Sequence, residues 1–148
     1  MIDAGPPPTS ITIPAGVRAF LDDVKFATIA TVDPDGAPRQ AVIWYTLHGD
    51  VLVLNSAVGR RWPANLVRDP RISLSVADPA DGYRWIGISG RVSVVEDQPT
   101  AQADIAAMAR RYHAHEPKVA ERLVRDRFER QQRISFHVHV AAIHDHLD

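Results

Sequence analysis

Apolar and polar residues recur along the chain at two different periods. Between residues 26 and 95 the spacing is mostly close to two, as in a strand with one buried face. Phe26 to Val32 is apolar and β-branched, which predicts a first strand. Asp33-Pro-Asp-Gly36 follows as a turn, because proline presets φ and glycine accepts a positive φ. From Pro38 to Leu47 the pattern alternates. Ala41, Ile43, Tyr45 and Leu47 share one face, and Gln40, Val42, Trp44 and Thr46 the other. His48-Gly-Asp50 turns the chain into a third strand, Val51 to Asn55. Ile72 to Val76 is the fourth. After the Asp78-Pro-Ala-Asp-Gly82 turn comes a long fifth, Tyr83 to Val95, with Gly87 and Gly90 inside it. Glycines within a strand predict a bulge or the close approach of another backbone or a ligand. The sixth strand is Ile134 to Val140, with Ile134, Phe136, Val138 and Val140 opposite Ser135, His137 and His139.

A helical period interrupts this pattern. After Pro14, residues Val17, Phe20, Leu21 and Val24 form one apolar face, placed to plug one end of a barrel. Ser56 to about Arg68 predicts a polar loop and a short helix, stopped by Asp69-Pro70. Gln98 to Tyr112 is helical, with Ile105, Met108, Ala109 and Tyr112 on one side. His113 to Pro117 breaks it, and Lys118 to about Gln132 predicts a charged second helix with sparse apolar contacts. Residues 1–13, rich in Pro, Thr and Ser, are expected to form a flexible arm ahead of a single domain over 14–148. Six strands joined by short turns, with three or four helices, predict a mainly β fold with α: a small antiparallel barrel with helices at its ends.

Composition narrows the function classes. A net charge of −1 and a pI near 6.6 give no basic excess for nucleic acid, so any anion site is local. The absence of cysteine removes disulfides, thiolate metal sites and cysteine nucleophiles, and fits a cytoplasmic location. No apolar run reaches the roughly 20 residues of a membrane span. The first eight residues have neither the basic nor the apolar region of a secretory signal, and no membrane partner is expected.

The strongest candidate chemistry lies between strands three and four, at Gly59-Arg-Arg-Trp-Pro63. A helix start exposes unpaired N–H groups and the positive end of its dipole. Pro63 suits the first helical position, and two guanidinium groups just before it make an anion site suited to phosphate. Trp44 is expected in the core. Of three His-x-His pairs, at 113/115, 137/139 and 144/146, the pair at 137/139 has no carboxylate in its strand and the other two fall in expected loops, so no metal is expected. No nucleophile elbow, triad or carboxylate pair emerges. No catalytic residue is singled out, with Tyr45 and His48 the only candidates for a proton donor.

Three segments together carry a resemblance. Ala27 to Arg39 resembles the opening hairpin of the flavin-binding split β-barrels, and Asn55 to Pro70 resembles their phosphate loop with its Arg/Lys pair. Arg133-Ile-Ser-Phe-His-Val matches the terminal strand. The chain from about Ala19 onward is similar to the pyridoxamine 5′-phosphate oxidase-like superfamily, and within it to the actinobacterial branch that uses the deazaflavin coenzyme F-420. The resemblance implies a six-stranded FMN-binding split barrel. It also implies a homodimer with cofactor sites at the interface, binding coenzyme F-420 or, alternatively, FMN. The implied activity is that of an oxidoreductase passing hydride from the reduced deazaflavin to a small electron-poor substrate. The alternatives are an FMN oxidase or reductase, or a flavin- or haem-binding protein without turnover. Carried over by position, Pro38, Gln40 and Val42 line the ring, and Asn55 and Ser56 offer polar contacts. Gly59, Arg60, Arg61, Trp62 and Asn65 belong to the phosphate loop, and Trp85 of the partner subunit covers the site. Trp62 stands near the place of a lysine in many deazaflavin members, which leaves the charge to Arg60 and Arg61.

Overall fold

The computed structural model describes residues 10–148. In chain order the elements are α1 (Ala15–Asp22), β1 (Ala27–Val32), β2 (Pro38–Ile43), β3 (Thr46–His48), β4 (Val51–Ala57) and α2 (Arg61–Arg68). There follow β5 (Arg71–Asp78), β6 (Asp81–Val95), α3 (Gln98–Tyr112), α4 (Pro117–Asp126), a 3-10 turn (Phe128–Arg130) and β7 (Arg133–His146).

Seven strands, not six, form one antiparallel sheet in the order β2-β1-β5-β6-β7-β4-β3. The extra strand arises because the expected run Pro38 to Leu47 is broken at Trp44 and Tyr45, which pair with nothing. β2 is then one edge of the sheet and β3 the other. Ile43 and Thr46 are three peptide links apart, a reach of at most about 11 Å. The sheet therefore curls until its edges meet, and the chain itself crosses the seam. The expected closure by hydrogen bonds is replaced by covalent continuity across an open, split sheet.

The two seam residues point to opposite sides, as alternation requires. Tyr45 is fully buried among the barrel core, and its hydroxyl donates to the Leu21 carbonyl at 2.8 Å. Its backbone N–H donates to the Tyr112 hydroxyl at 3.0 Å, and that hydroxyl donates onward to the Lys25 carbonyl at 2.5 Å. Trp44 stacks on the Tyr112 ring, centroids 4.9 Å apart, beside a second apolar layer. That layer packs α3 and α4 on β4 through Val53, Ile105, Met108, Val124 and Phe128. The expected long charged helix stops at Asp126, and the 3-10 turn that follows drops Phe128 into this layer. Val17, Phe20 and Leu21 of α1 join the barrel core, as their spacing predicts, but Val24, expected on the same face, lies beyond the helix end at Asp22 and is exposed.

β6 is the longest strand, at 15 residues, and its glycines have separate roles. A Cβ on Gly90 would lie 2.2 Å from the His139 carbonyl oxygen, at the register shift between Ser89 and Gly90. A Cβ on Gly87 would lie 2.9 Å from the Trp85 ring. β7 runs past the expected end at Val140 as far as His146, because β6 is long enough to pair with it. Most of the expected arm, residues 1–9, lies outside the described residues. Ile11 donates its N–H to the Val140 carbonyl, and Ile13 is buried with its N–H on Asp50. Among the described residues no helix is long and apolar enough to cross a membrane.

Gly90→Ala should lower unfolding stability by about 3 kcal/mol, as a methyl group overpacks a backbone carbonyl that cannot retreat. Urea denaturation of the variant against wild type measures it. Tyr45→Phe should cost about 1–2 kcal/mol by stranding a buried carbonyl, with no change in the strand content seen by circular dichroism.

Candidate functional site

The registers place a continuous row of small side chains on the outward face of the sheet. On β1 and β2 the cross-strand pairs are Thr28 with Val42, Ala30 with Gln40 and Val32 with Pro38. Next come Ser73 and Ser75 on β5, which pair with Ser89 and Gly87 on β6. Trp85 follows on β6, then Ala142, His144 and His146 on the end of β7. Their alternates, Ile29, Leu74, Ile86 and Ile88, fill the barrel core. A shallow cleft of about 400 Å³ lies on this face, lined by Thr28, Ala30, Gln40, Ser73, Ser75, Trp85, Gly87 and His144 among others. None of the outward residues just named is a carboxylate. Across β1, β5 and the middle of β6 the outward side chains (Thr28, Ala30, Ser73, Ser75, Gly87 and Ser89) are short, so a flat ligand can approach the backbone there.

At the cleft's end the Trp85 indole folds down over Gly87, which has no side chain to prevent it. It stacks on His146 with centroids 4.5 Å apart and planes 8° apart, and on His144 at 5.5 Å and 23°. The two imidazoles stack on each other at 4.5 Å. The result is a three-ring aromatic shelf. The sequence pattern leaves this pair in a loop. Only the extension of β7 brings both histidines to the face that carries Trp85.

The arginine loop lies at the other end of the β1–β2 hairpin. Gly59 turns the chain with φ +101°, and α2 begins at Arg61 with Arg60 as its cap residue. Pro63 is therefore the third helical residue, not the first, still within the turn whose N–H groups lack helical partners. Arg60 and Arg61 are exposed, and neither forms a salt bridge among the described residues. Arg61 stands close enough to Asp33 to act on its carboxyl. Hydrogen bonds from Arg39 and Asn65, reinforced by the charges of Arg39 and Arg61, hold Asp33 below the usual carboxylate range. Asp33 is thereby engaged by Arg39, at 3.0 Å, and by Asn65, at 2.9 Å.

The remaining expected contacts are spent inside the fold. Trp62 packs against Phe136 in the barrel core, centroids 5.7 Å apart, and does not face the open side of the loop. Asn65 is buried and bonds Thr31 and Asp33, tying α2 to β1. Ser56 is buried, with its hydroxyl on the next carbonyl. Asn55 donates to the Ala101 carbonyl and to Ser135, and accepts from Arg133 at 3.0 Å. These four residues shape the loop from below. Pro38, Gln40 and Val42 are exposed on the cleft face, and the half-buried Trp85 lines the same cleft as Gln40.

Two features lie outside the residues the sequence points to. One is the aromatic shelf. The other is Arg133, which is only 5% exposed and has no carboxylate within salt-bridge reach among the described residues. Burial, with Arg60 and Arg127 nearby, lowers its pKa to about 10. It lies under the loop, where the Val58 N–H donates to the Gln132 carbonyl. The proton-donor candidates stand elsewhere. The Tyr45 hydroxyl is buried, its pKa raised chiefly by desolvation, and His48 ends β3 on the far edge. Among the described residues no group of three or more His, Asp or Glu side chains is arranged to hold a metal ion.

Comparison with known proteins follows the fold. The sequence model of the family described as Pyridoxamine 5'-phosphate oxidase matches residues 13–146. No protein of curated function matches the chain. Among solved structures, an F420 reductase is 26% identical, with a TM-score of 0.71, over 89% of this chain and 98% of that one. The protein Rv2991 from Mycobacterium tuberculosis is 21% identical, with a TM-score of 0.74, over 93% of this chain and 87% of that one. HutZ, the heme storage protein from Vibrio cholerae, is 17% identical, with a TM-score of 0.67, over 91% and 95%. The last two share the fold. With the family's sequence pattern running from Ile13 to His146 and a split antiparallel sheet beneath it, the chain belongs to the pyridoxamine 5′-phosphate oxidase family.

Proposed function

We propose that the protein is an oxidoreductase that binds coenzyme F-420 and reduces a small, conjugated, electron-poor substrate, working as a homodimer. The observation that carries this is the pairing of a cleft lined by no carboxylate with two exposed arginines at the start of α2 that form no salt bridge among the described residues. A planar ring joined to a phosphate needs both. The residues present fit such a group. Arg60 and Arg61 would hold its phosphate, with the first N–H groups of α2. Pro38, Gln40 and Val42 would flank the ring from the exposed side of β2. Bound there, the reduced deazaflavin supplies a hydride, which the protein itself cannot supply. The chain's own part is to place the ring, exclude water from one of its faces and neutralise the phosphate. The likeness to an F420 reductase favours the deazaflavin over FMN.

The homodimer rests on the same face. Rows of Ser, Ala, Thr and Gly let a second sheet come within the roughly 10 Å of packed sheets. Two copies meeting there would enclose the cleft, with Trp85 of each covering the site of the other.

A fluorescence titration with coenzyme F-420, and a parallel one with FMN, tests the cofactor. Wild type should bind F-420 with a dissociation constant below about 100 μM. Arg60→Ala and Arg61→Ala should each weaken it by about tenfold to a hundredfold, the value of one charge-assisted bond. Tight FMN binding with no response to F-420 would overturn the deazaflavin in favour of FMN. Sedimentation velocity tests the dimer: wild type should sediment as two copies, and Ser75→Arg, which drives a long cation into the face, as one.

A further inference from the structure

A second cleft, of about 350 Å³, adjoins the arginine loop at Val58 and Gly59 and shares no lining residue with the cleft on the sheet face. It lies between α2 and the start of β7, and Arg133 is part of its lining. We propose that Arg133 and the apolar side of α2 form a binding site for a small monocarboxylate with a compact apolar body, distinct from the site for the cofactor.

The guanidinium defines the charged end of that ligand. Arg133 is buried, and no carboxylate stands within salt-bridge reach of it among the described residues. Arg60 and Arg127 lie near enough to add to its positive field. A guanidinium carries five N–H donors. Here Nε donates to Asn55 at 3.0 Å and Nη1 to Gln131 at 2.5 Å. Nη2 has no acceptor among the described residues, yet it is not sealed from solvent. A buried cation with idle donors gains most from an anion that brings two acceptors. The Phe128 ring, 4.9 Å from the guanidinium carbon, covers one face of the plane, so an anion meets the group along its edge. Edge-on approach suits the planar fork of a carboxylate.

The walls set the rest of the molecule. Val58 and Val67 are 50% and 48% exposed, and both line this cleft together with Pro63, Ala64 and Ile134. Apolar surface beside a cation selects an anion that carries an apolar body. Glu96 also lines the cleft, exposed and without a salt bridge among the described residues. Its charge repels a second negative charge on the ligand, so the site disfavours a phosphate dianion. The floor is fixed in advance. The Gln98 amide donates to the Arg133 carbonyl at 2.8 Å and accepts the Arg133 N–H at 2.9 Å. A preorganised donor loses little freedom when the ligand arrives.

A fluorine NMR titration of the full chain with 4-fluorobenzoate tests the site without any cofactor. Wild type should bind it saturably, with a dissociation constant below about 1 mM. The neutral analogue 4-fluorobenzamide should bind about tenfold more weakly, and inorganic phosphate should not displace the benzoate. Val67→Glu, an exposed change on α2, should weaken binding by about tenfold by setting a like charge on the wall. Arg133→Lys keeps the charge and loses the fork, and should weaken binding by a similar factor, with circular dichroism confirming the fold. Arg61→Ala, which is not part of this cleft's lining, should weaken F-420 binding and leave 4-fluorobenzoate at the wild-type value. Equal affinity for benzoate and benzamide, or wild-type affinity in Val67→Glu, overturns the proposal. So does displacement of the benzoate by phosphate or F-420, or its loss in Arg61→Ala, each of which puts the anion at the phosphate loop. If F-420 fails to bind while the benzoate behaves as described, the cofactor reading falls and this site stands; the reverse result removes this site alone.

Discussion

Everything in this fold depends on how the chain crosses the seam at Trp44 and Tyr45. A seven-stranded sheet with free edges exposes two rows of unpaired backbone groups. Here the two edges are successive stretches of one chain, so neither can swing away without pulling the other. Tyr45 is anchored inward by the Leu21 carbonyl and Trp44 outward by the Tyr112 ring. The Tyr112 hydroxyl binds the Tyr45 N–H and the Lys25 carbonyl, so α3 clamps the seam and the start of β1 together. Burial raises the pKa of both tyrosines, which keeps their protons in place as donors. β2 thus leaves the seam in a fixed direction, carrying Gln40 and Val42 onto the outward face.

A second constraint holds the arginine loop. Arg133 is a buried cation without a direct counter-ion among the described residues, an arrangement that costs several kcal/mol unless its polar neighbours are well placed. It donates to Asn55; Asn55 donates to Ser135; Ser135 donates to Asp104 at 2.7 Å. The chain of dipoles links the cation to a carboxylate on α3 through two neutral side chains. It also stitches β4, β7 and α3 together just before the loop leaves β4 at Ala57. Arg133 lies over the Phe128 ring as well, at 4.9 Å, so the 3-10 turn after α4 belongs to the same support. Arg60 is therefore displayed from a rigid base, with further positive charge beneath it and no salt bridge to an acid among the described residues.

Much of this was legible in the residues. The α1 stripe of Val17, Phe20 and Leu21, the Asp-Pro-Asp-Gly turn and the full span of α3 follow from local patterning, because each depends on neighbours within a few positions. The role of the strand glycines was legible as a type, close approach, though not the partner: a backbone carbonyl at Gly90 and an indole at Gly87. The break at Trp44 was not legible. Alternation continues straight through it, and only the curl of the whole sheet assigns the two halves to opposite edges. The fates of Asn55, Asn65 and Trp62 were hidden for a similar reason. A polar or aromatic side chain near a binding loop looks the same in sequence whether it faces a ligand or supports the loop from within.

The sequence by itself determined the antiparallel strand-and-turn scheme, the positions of the helices and the location of the arginine pair, since hydrophobic period, proline and glycine act locally. It also carried the family likeness, because that is a matter of residue order. Tertiary structure alone decided that the sheet is split rather than closed and that β7 continues to His146. It also decided that His144 and His146 share a face with Trp85, 59 residues away in sequence from the first and paired directly with the second. Those outcomes depend on register between distant strands, and register is set by the packing of the whole barrel core.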